Sequence, residues 1–115
     1  MKNTESLKKN YQFRYVYNKG KSIANKYLVM YVLRNKKNIN RLGISVSRKV
    51  GISVVRSRIT RLIKESYRLM EDKIKIGYDI VVIARGSANG AAYTEIDKSV
   101  KHLMKKHDMY VEKEG

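Results

Sequence analysis

The run Tyr78–Arg85 (YDIVVIAR) constrains the fold more than any other part of this chain. It is almost unbrokenly apolar yet short, the pattern of an interior strand covered on both faces. Such a strand needs neighbours. Tyr27–Leu33 (YLVMYVL) is β-branched and aromatic enough to supply one, with Tyr27, Val29, Tyr31 and Leu33 on one face and Leu28, Met30 and Val32 on the other. The polar stretch Arg34–Asn40 reads as a hairpin loop into Arg41–Ser47, where Leu42, Ile44 and Val46 alternate with Arg41, Gly43, Ser45 and Ser47. That strand is half-buried, and its small polar face leaves room for something to lie against it.

Helices account for the rest. Asn10 is placed to cap a helix over residues 10–18, with Phe13, Val16 and Tyr17 at helical spacing and Gly20 ending it in a left-handed turn. After the link Arg48–Ser53, a helix over roughly 54–70 gathers Val55, Ile59, Leu62, Ile63, Leu69 and Met70 on one side. At about 100° per residue, Ser57, Arg58, Arg61, Lys64 and Arg68 fill the opposite arc, with Arg56 on its flank. Gly86–Gly90 is a turn, and Thr94 caps a last helix whose Ile96, Val100, Leu103, Met104 and His107 form the buried stripe. The order helix, strand, strand, helix, strand, helix predicts an α+β fold: one domain over residues 1–115, a small mixed sheet packed with about three helices as a two-layer sandwich.

Charge points to the partner. The formal net charge is +16, and residues 1–70 carry 18 Lys and Arg against only Glu5 and Glu65, whereas residues 71–115 hold eight of each sign. Excess confined to one part of the chain marks a binding surface for a polyanion, since a merely soluble domain intersperses both signs. Cysteine is absent, which excludes disulfides, thiol catalysis and Cys-based zinc sites. No apolar run approaches the roughly 20 residues of a membrane span, and the polar start MKNTESLKKN lacks a secretory core, so no membrane partner is expected and the cytoplasm is the default location.

The most informative segment is Ser45–Arg68, where a basic loop runs into a helix bearing Arg56, Arg58 and Arg61 in its first turns. A helix N-terminus already carries partial positive charge, so arginines stacked there are unfavourable unless an anion binds beside them. Arg forks and backbone amides together suit phosphate.

With the rest of the chain, this segment resembles the protein subunit of bacterial ribonuclease P. The likeness runs nearly end to end: Leu7-Lys8-Lys9, Phe13, Val16-Tyr17, Gly20, Ser22-Ile23-Ala24-Asn25, Tyr31, Arg41 to Ser47, Lys49-Val50-Gly51 and Val54 to Arg61. Where that family usually has Arg-Asn-Arg and then a basic pair, this chain has Arg56-Ser57-Arg58 and Thr60-Arg61, with Lys64 and Arg68 placed to compensate. The resemblance implies a ribosomal-protein-like sheet with a left-handed βαβ crossover around the basic helix. It also implies an endoribonuclease subunit acting in tRNA 5′ maturation, with the catalytic centre and Mg2+ in the RNA subunit. Neither catalytic side chains, a cofactor bound by the protein alone, nor a small-molecule substrate is then expected.

By the same resemblance Arg48, Lys49, Arg56, Ser57, Arg58 and Arg61, with Lys64 and Arg68, face the catalytic RNA, and Phe13, Tyr17, Val29 and Tyr31 take the single-stranded 5′ leader of precursor tRNA. Aromatic faces hold unpaired bases for roughly 1–3 kcal/mol per base without demanding sequence. From spacing alone, however, Phe13 and Tyr17 read as core. A ribosomal or rRNA-associated protein shares the charge, size and architecture and stays open as an alternative. A sequence-specific DNA reader ranks below it, since the basic helix has no Asn or Gln and follows a strand instead of another helix. His102 and His107, five residues apart, miss the helical metal spacing, and Asp79 has no second acid or histidine set beside it by sequence.

Overall fold

The computed structural model describes residues 1–112; of the domain expected over 1–115, residues 113–115 lie outside the described residues. Strand β5 (Tyr78–Ala84) is the middle of a five-stranded sheet ordered β1-β4-β5-β3-β2. Its neighbours are β3 (Leu28–Arg34), antiparallel, and β4 (Asn40–Ser45), parallel. The edges are β1 (Thr4–Ser6), parallel to β4, and β2 (Lys21–Ala24), antiparallel to β3. Neither edge strand was expected. Each is three or four residues long and mostly exposed, so neither shows the alternation that identifies a strand in sequence.

Two helices, α2 (Ser53–Met70) and α3 (Tyr93–Lys106), cover one face, while α1 (Asn10–Lys19) lies on the other, so the α+β sheet sits in three layers where two were expected: β5 is apolar on both faces and needs cover on each. Strand alternation divides the core accordingly. Leu28, Met30, Ile80 and Val82 pack with Ile59, Ile63, Ile96, Val100 and Leu103 under α2 and α3. Val81 packs with Leu7 and Val16 on the α1 side. The parallel pair β4 and β5 is joined through α2, as the expected βαβ unit requires.

Five local expectations need correction. Arg34–Asn40 is not a hairpin loop, because β3 and β4 do not pair: β5 lies between them, and the segment carries the chain past it. Asn10 is the first helical residue and not the cap; Gln12 Oε1 instead accepts the amides of Lys8 and Lys9, both at 3.0 Å. Gly20 is extended, φ −79°, and glycine is required there because a Cβ would come 2.7 Å from the Val16 carbonyl. Thr94 lies within α3, whose start is held by Glu95 Oε1 accepting the Ala92 amide at 3.0 Å. Leu69 is exposed, and Ser66 and Tyr67 complete the buried stripe of α2, because the helical period carries residue 69 round to the solvent side.

Polar groups pin the sheet where β4 and β5 begin. Buried Asn40 accepts the amides of Gly77 and Tyr78 on Oδ1, both at 2.9 Å, and donates to the Lys75 carbonyl at 2.9 Å. Next to it, Arg41 donates through Nε (2.8 Å) and Nη2 (2.6 Å) to the two oxygens of Asp79, its register partner on β5. Asn35 adds a third bond to this buried carboxylate. The hydrogen bond to Asp79 raises the Arg41 pKa above its ordinary value. Asp79 is therefore a structural acid. Arg41→Met should strand a buried carboxylate and destabilise the protein by about 3 kcal/mol in urea unfolding; a loss below about 0.5 kcal/mol, the range of an exposed pair, would refute that role.

Candidate RNA interface

Helix α1 brings three of the four expected leader residues into one row. Phe13 and Tyr17, one turn apart, point at the sheet, with ring centroids 6.3 Å apart. Tyr17 meets Tyr31 of β3 edge-on at 5.0 Å. All three are half-buried, and fully buried Val16 does the anchoring. Val29 shares their face of β3 by strand alternation, further along the strand. The reading of Phe13 and Tyr17 as plain core is thus half right: their inner edges join the core and the rest stays open.

The small face of β4 makes this possible. The Phe13 ring lies over Gly43, where a Cβ would come 2.6 Å from Cε1. Ser45, two residues on, lines the hollow beside Tyr17, and burial raises the Tyr17 pKa. The resulting hollow is lined by Asn10, Phe13, Arg14, Tyr17, Ile44 and Ser45. Arg14 was not among the expected site residues. Its spacing of three from Tyr17 and four from Asn10 was the available signal.

The second surface is the outer face of α2. Its N-terminus has no side-chain cap and no acid in the first turn, and the exposed Arg48 and Lys49 precede it. Buried Val50 anchors that loop, and Asn89 Nδ2 donates to its carbonyl at 2.9 Å. Arg56 and Arg61 line one hollow with Ile44, Val46, Ser53, Ser57 and Thr60. The Nε of Arg56 is buried without a hydrogen-bond partner, and Thr60 donates to the Arg56 carbonyl at 2.9 Å. Where a basic residue is usual in the family, Thr60 thus caps a backbone carbonyl. Arg58, Arg61, Lys64 and Arg68 line a groove toward Tyr93 of α3. Within it Arg58 donates to the Ala91 carbonyl at 3.0 Å, and Arg68 is paired with Glu65 at 2.5 Å. These two cations are partly committed, whereas Arg48, Lys49, Arg61 and Lys64 take part in no ion pair among the described residues.

Ile44 lines both the α1 hollow and the Arg56 hollow. A third depression, lined by Glu5 of β1 and by Leu7 as well as by Phe13, Leu42, Ile44, Thr60 and Lys64, shares Phe13 and Ile44 with the first hollow and Ile44 and Thr60 with the second. The junction exists because β1 pairs only with Asn40–Leu42, leaving the end of β4 without a neighbour on that side.

The two histidines serve packing and loop attachment. His107 Nε2 bonds the Met30 carbonyl at 2.9 Å, with its pKa lowered by burial, and exposed His102 meets the Asn25 amide at 3.2 Å. Among the described residues no three of His, Cys, Asp or Glu converge to hold a metal ion, and no helix is long and apolar enough to cross a membrane.

Comparison with known proteins identifies the family and the fold. The family model described as Ribonuclease P matches residues 1–108. The ribonuclease P protein component of Clostridium kluyveri is 59% identical over 106 residues, covering 90% of this chain and 95% of its own. That of Clostridioides difficile is 56% identical over 109 residues, covering 94% and 96%. Among solved structures, the Staphylococcus aureus RNase P protein superposes with a TM-score of 0.86 at 38% identity, covering 92% of this chain and 97% of that one. The Thermotoga maritima RNase P protein gives 0.81 at 29%, covering 95% and 99%. On sequence and fold alike, the chain belongs to the ribonuclease P protein family.

Proposed function

We propose that the α1 hollow receives the unpaired 5′ leader of precursor tRNA while the α2 face receives the ribonuclease P RNA, so that the protein bridges substrate and catalyst. The chain is the protein component of this endoribonuclease, and its partners are the RNA subunit and precursor tRNA. Family membership decides against the rRNA-associated alternative. The observation that carries the division of labour is the continuity at Ile44 between an aromatic hollow and a cationic one.

Each surface has its own chemistry. The faces of Phe13, Tyr17 and Tyr31 accept bases of any identity, as a leader of variable sequence requires, and Arg14 at the rim takes a backbone phosphate. On α2 the arginine forks and the uncapped amides neutralise phosphates of the RNA subunit. Closely packed phosphates otherwise need counterions, so these cations lower the Mg2+ demand of an RNA that holds both the catalytic centre and its metal. Here the protein positions and neutralises, and does so in the cytoplasm, where precursor tRNA is made.

Reconstitution with a bacterial ribonuclease P RNA tests the α2 assignment. At low Mg2+ the protein should restore precursor tRNA cleavage, the protein alone should cleave nothing, and Arg56→Ala/Arg58→Ala should lose roughly 10- to 100-fold in rate, most of it recovered at high Mg2+. Cleavage indifferent to the double variant would remove these arginines from the interface. The leader hollow has a separate test. Phe13→Leu/Tyr17→Leu keeps apolar packing but removes the rings, and should weaken precursor tRNA by roughly tenfold or more while leaving mature tRNA unaffected; equal weakening of both would assign these rings to the fold alone.

A further inference from the structure

The outer side of α1 carries two large aromatic side chains that the fold does not use. Tyr11 and Tyr15 are 68% and 58% exposed and belong to neither hydrophobic cluster. Tyrosine in a soluble domain is ordinarily half-buried or better, so two side by side are an unspent surface. Spaced by four residues, they stand one above the other on one helical face. Their separation along the axis is about 6 Å at 1.5 Å per residue. That is roughly twice the ~3.4 Å repeat of stacked bases, so the spacing along the helix matches a stack with one base added.

Charge selects the occupant. Residues 8–21 hold Lys8, Lys9, Arg14, Lys19 and Lys21 and not a single acid, and none of these cations is in an ion pair among the described residues. A second copy of a chain of net charge +16 is repelled by such a face, and a polyanion is drawn to it. Continuity then chooses which polyanion. At about 100° per residue Arg14 lies about 60° from Tyr17 on one side and about 60° from Tyr11 on the other. A strand lying in the hollow between Ile44 and Arg14 therefore leaves it over Arg14, directly onto the tyrosine face.

We infer that Tyr11 and Tyr15 form a second stacking platform, on the outer face of α1, for nucleotides of the leader that lie 5′ of the segment held in the hollow. The inference rests on the leader reading of that hollow. It makes affinity depend on leader length, with the tyrosine pair engaged only once the leader is long enough to turn the helix.

The test compares precursor tRNAs with leaders of roughly 4 and roughly 16 nucleotides, the span of site sizes known for single-strand-binding folds. Their affinities for the reconstituted holoenzyme are measured with wild type, Tyr11→Ala/Tyr15→Ala, Tyr11→Phe/Tyr15→Phe and Phe13→Leu/Tyr17→Leu. Wild type should bind the long leader more tightly than the short one. The alanine pair should erase that gain, at roughly tenfold or more, and leave the short leader unchanged, while the phenylalanine pair keeps it. The proposal is overturned if wild type shows no gain, if the alanine pair retains it, or if the alanine pair weakens both leaders equally, which would assign the face to the RNA subunit. Loss of the gain in the phenylalanine pair would replace stacking by hydroxyl bonding and overturn it too. The hollow variant reads independently: it should weaken both leaders, and if it weakens neither, the leader reading itself fails.

Discussion

A helix of ten residues cannot cover a five-stranded sheet, and the rest of this molecule follows from that mismatch. Helix α1 is about 15 Å long and about 10 Å across. The sheet beneath it is roughly 20–25 Å wide at about 4.8 Å per strand. The main contacts of α1 fall on β3 and β5, with the Phe13 ring reaching over Gly43 of β4. Strand β5, apolar on both faces, thereby gets the cover it needs, since Val16 and Leu7 close over Val81. The flanks of α1 do not close. There the side chains that would otherwise be core, Phe13, Tyr17 and Tyr31, keep one edge packed and one open. A protein needing only stability would lengthen the helix; here the shortfall leaves open the hollow proposed for the leader.

The opposite face shows the complementary solution. Two helices of 18 and 14 residues cover it completely enough to bury Ile80, Val82, Met30 and Leu28. With its inner stripe satisfied, α2 is free to carry cations on its outer arc. Of the nearby acids only Glu65 neutralises a cation of that arc, Arg68; Asp79 is engaged with Arg41 in the sheet, and Asp97 with Lys101 and Ser66 between α2 and α3. Self-repulsion on α2 is thus left for an external polyanion to relieve, which makes association steep in salt and fast in onset.

The sequence shows these features unequally, for physical reasons. Burial on both faces makes β5 legible, and the 3.6-residue period makes α2 legible, because both signals repeat over many residues. Edge strands β1 and β2 repeat nothing and borrow their order from neighbours. The caps fall elsewhere than Asn10 and Thr94 because the bonds that cap α1 and α3 come from Gln12 and Glu95, reaching back to amides before the helix. Within the site, residue types were readable and degrees of burial were not. The same spacing of Phe13 and Tyr17 serves a sealed core and an open hollow, and only the width of the sheet relative to the helix separates the two. Gly43 and Ser45 held the better clue, since a strand face of such small residues signals that a ring lies across it.

What makes the two surfaces one interface is where β1 stops. Had β1 continued past Ser6 beside β4, its backbone would lie between Phe13 and Thr60, and the aromatic and basic hollows would be separate sites. Instead the chain leaves the sheet at Leu7, whose amide bonds the Leu42 carbonyl at 2.9 Å and whose side chain turns inward under α1. The end of β4 is left bare, and Ile44 is shared by both hollows. A strand only three residues long therefore does two things. It covers the sheet edge at Asn40–Leu42, beside the buried Asn40 and the Arg41–Asp79 pair. It also withdraws where the proposed RNA path crosses from one hollow to the other.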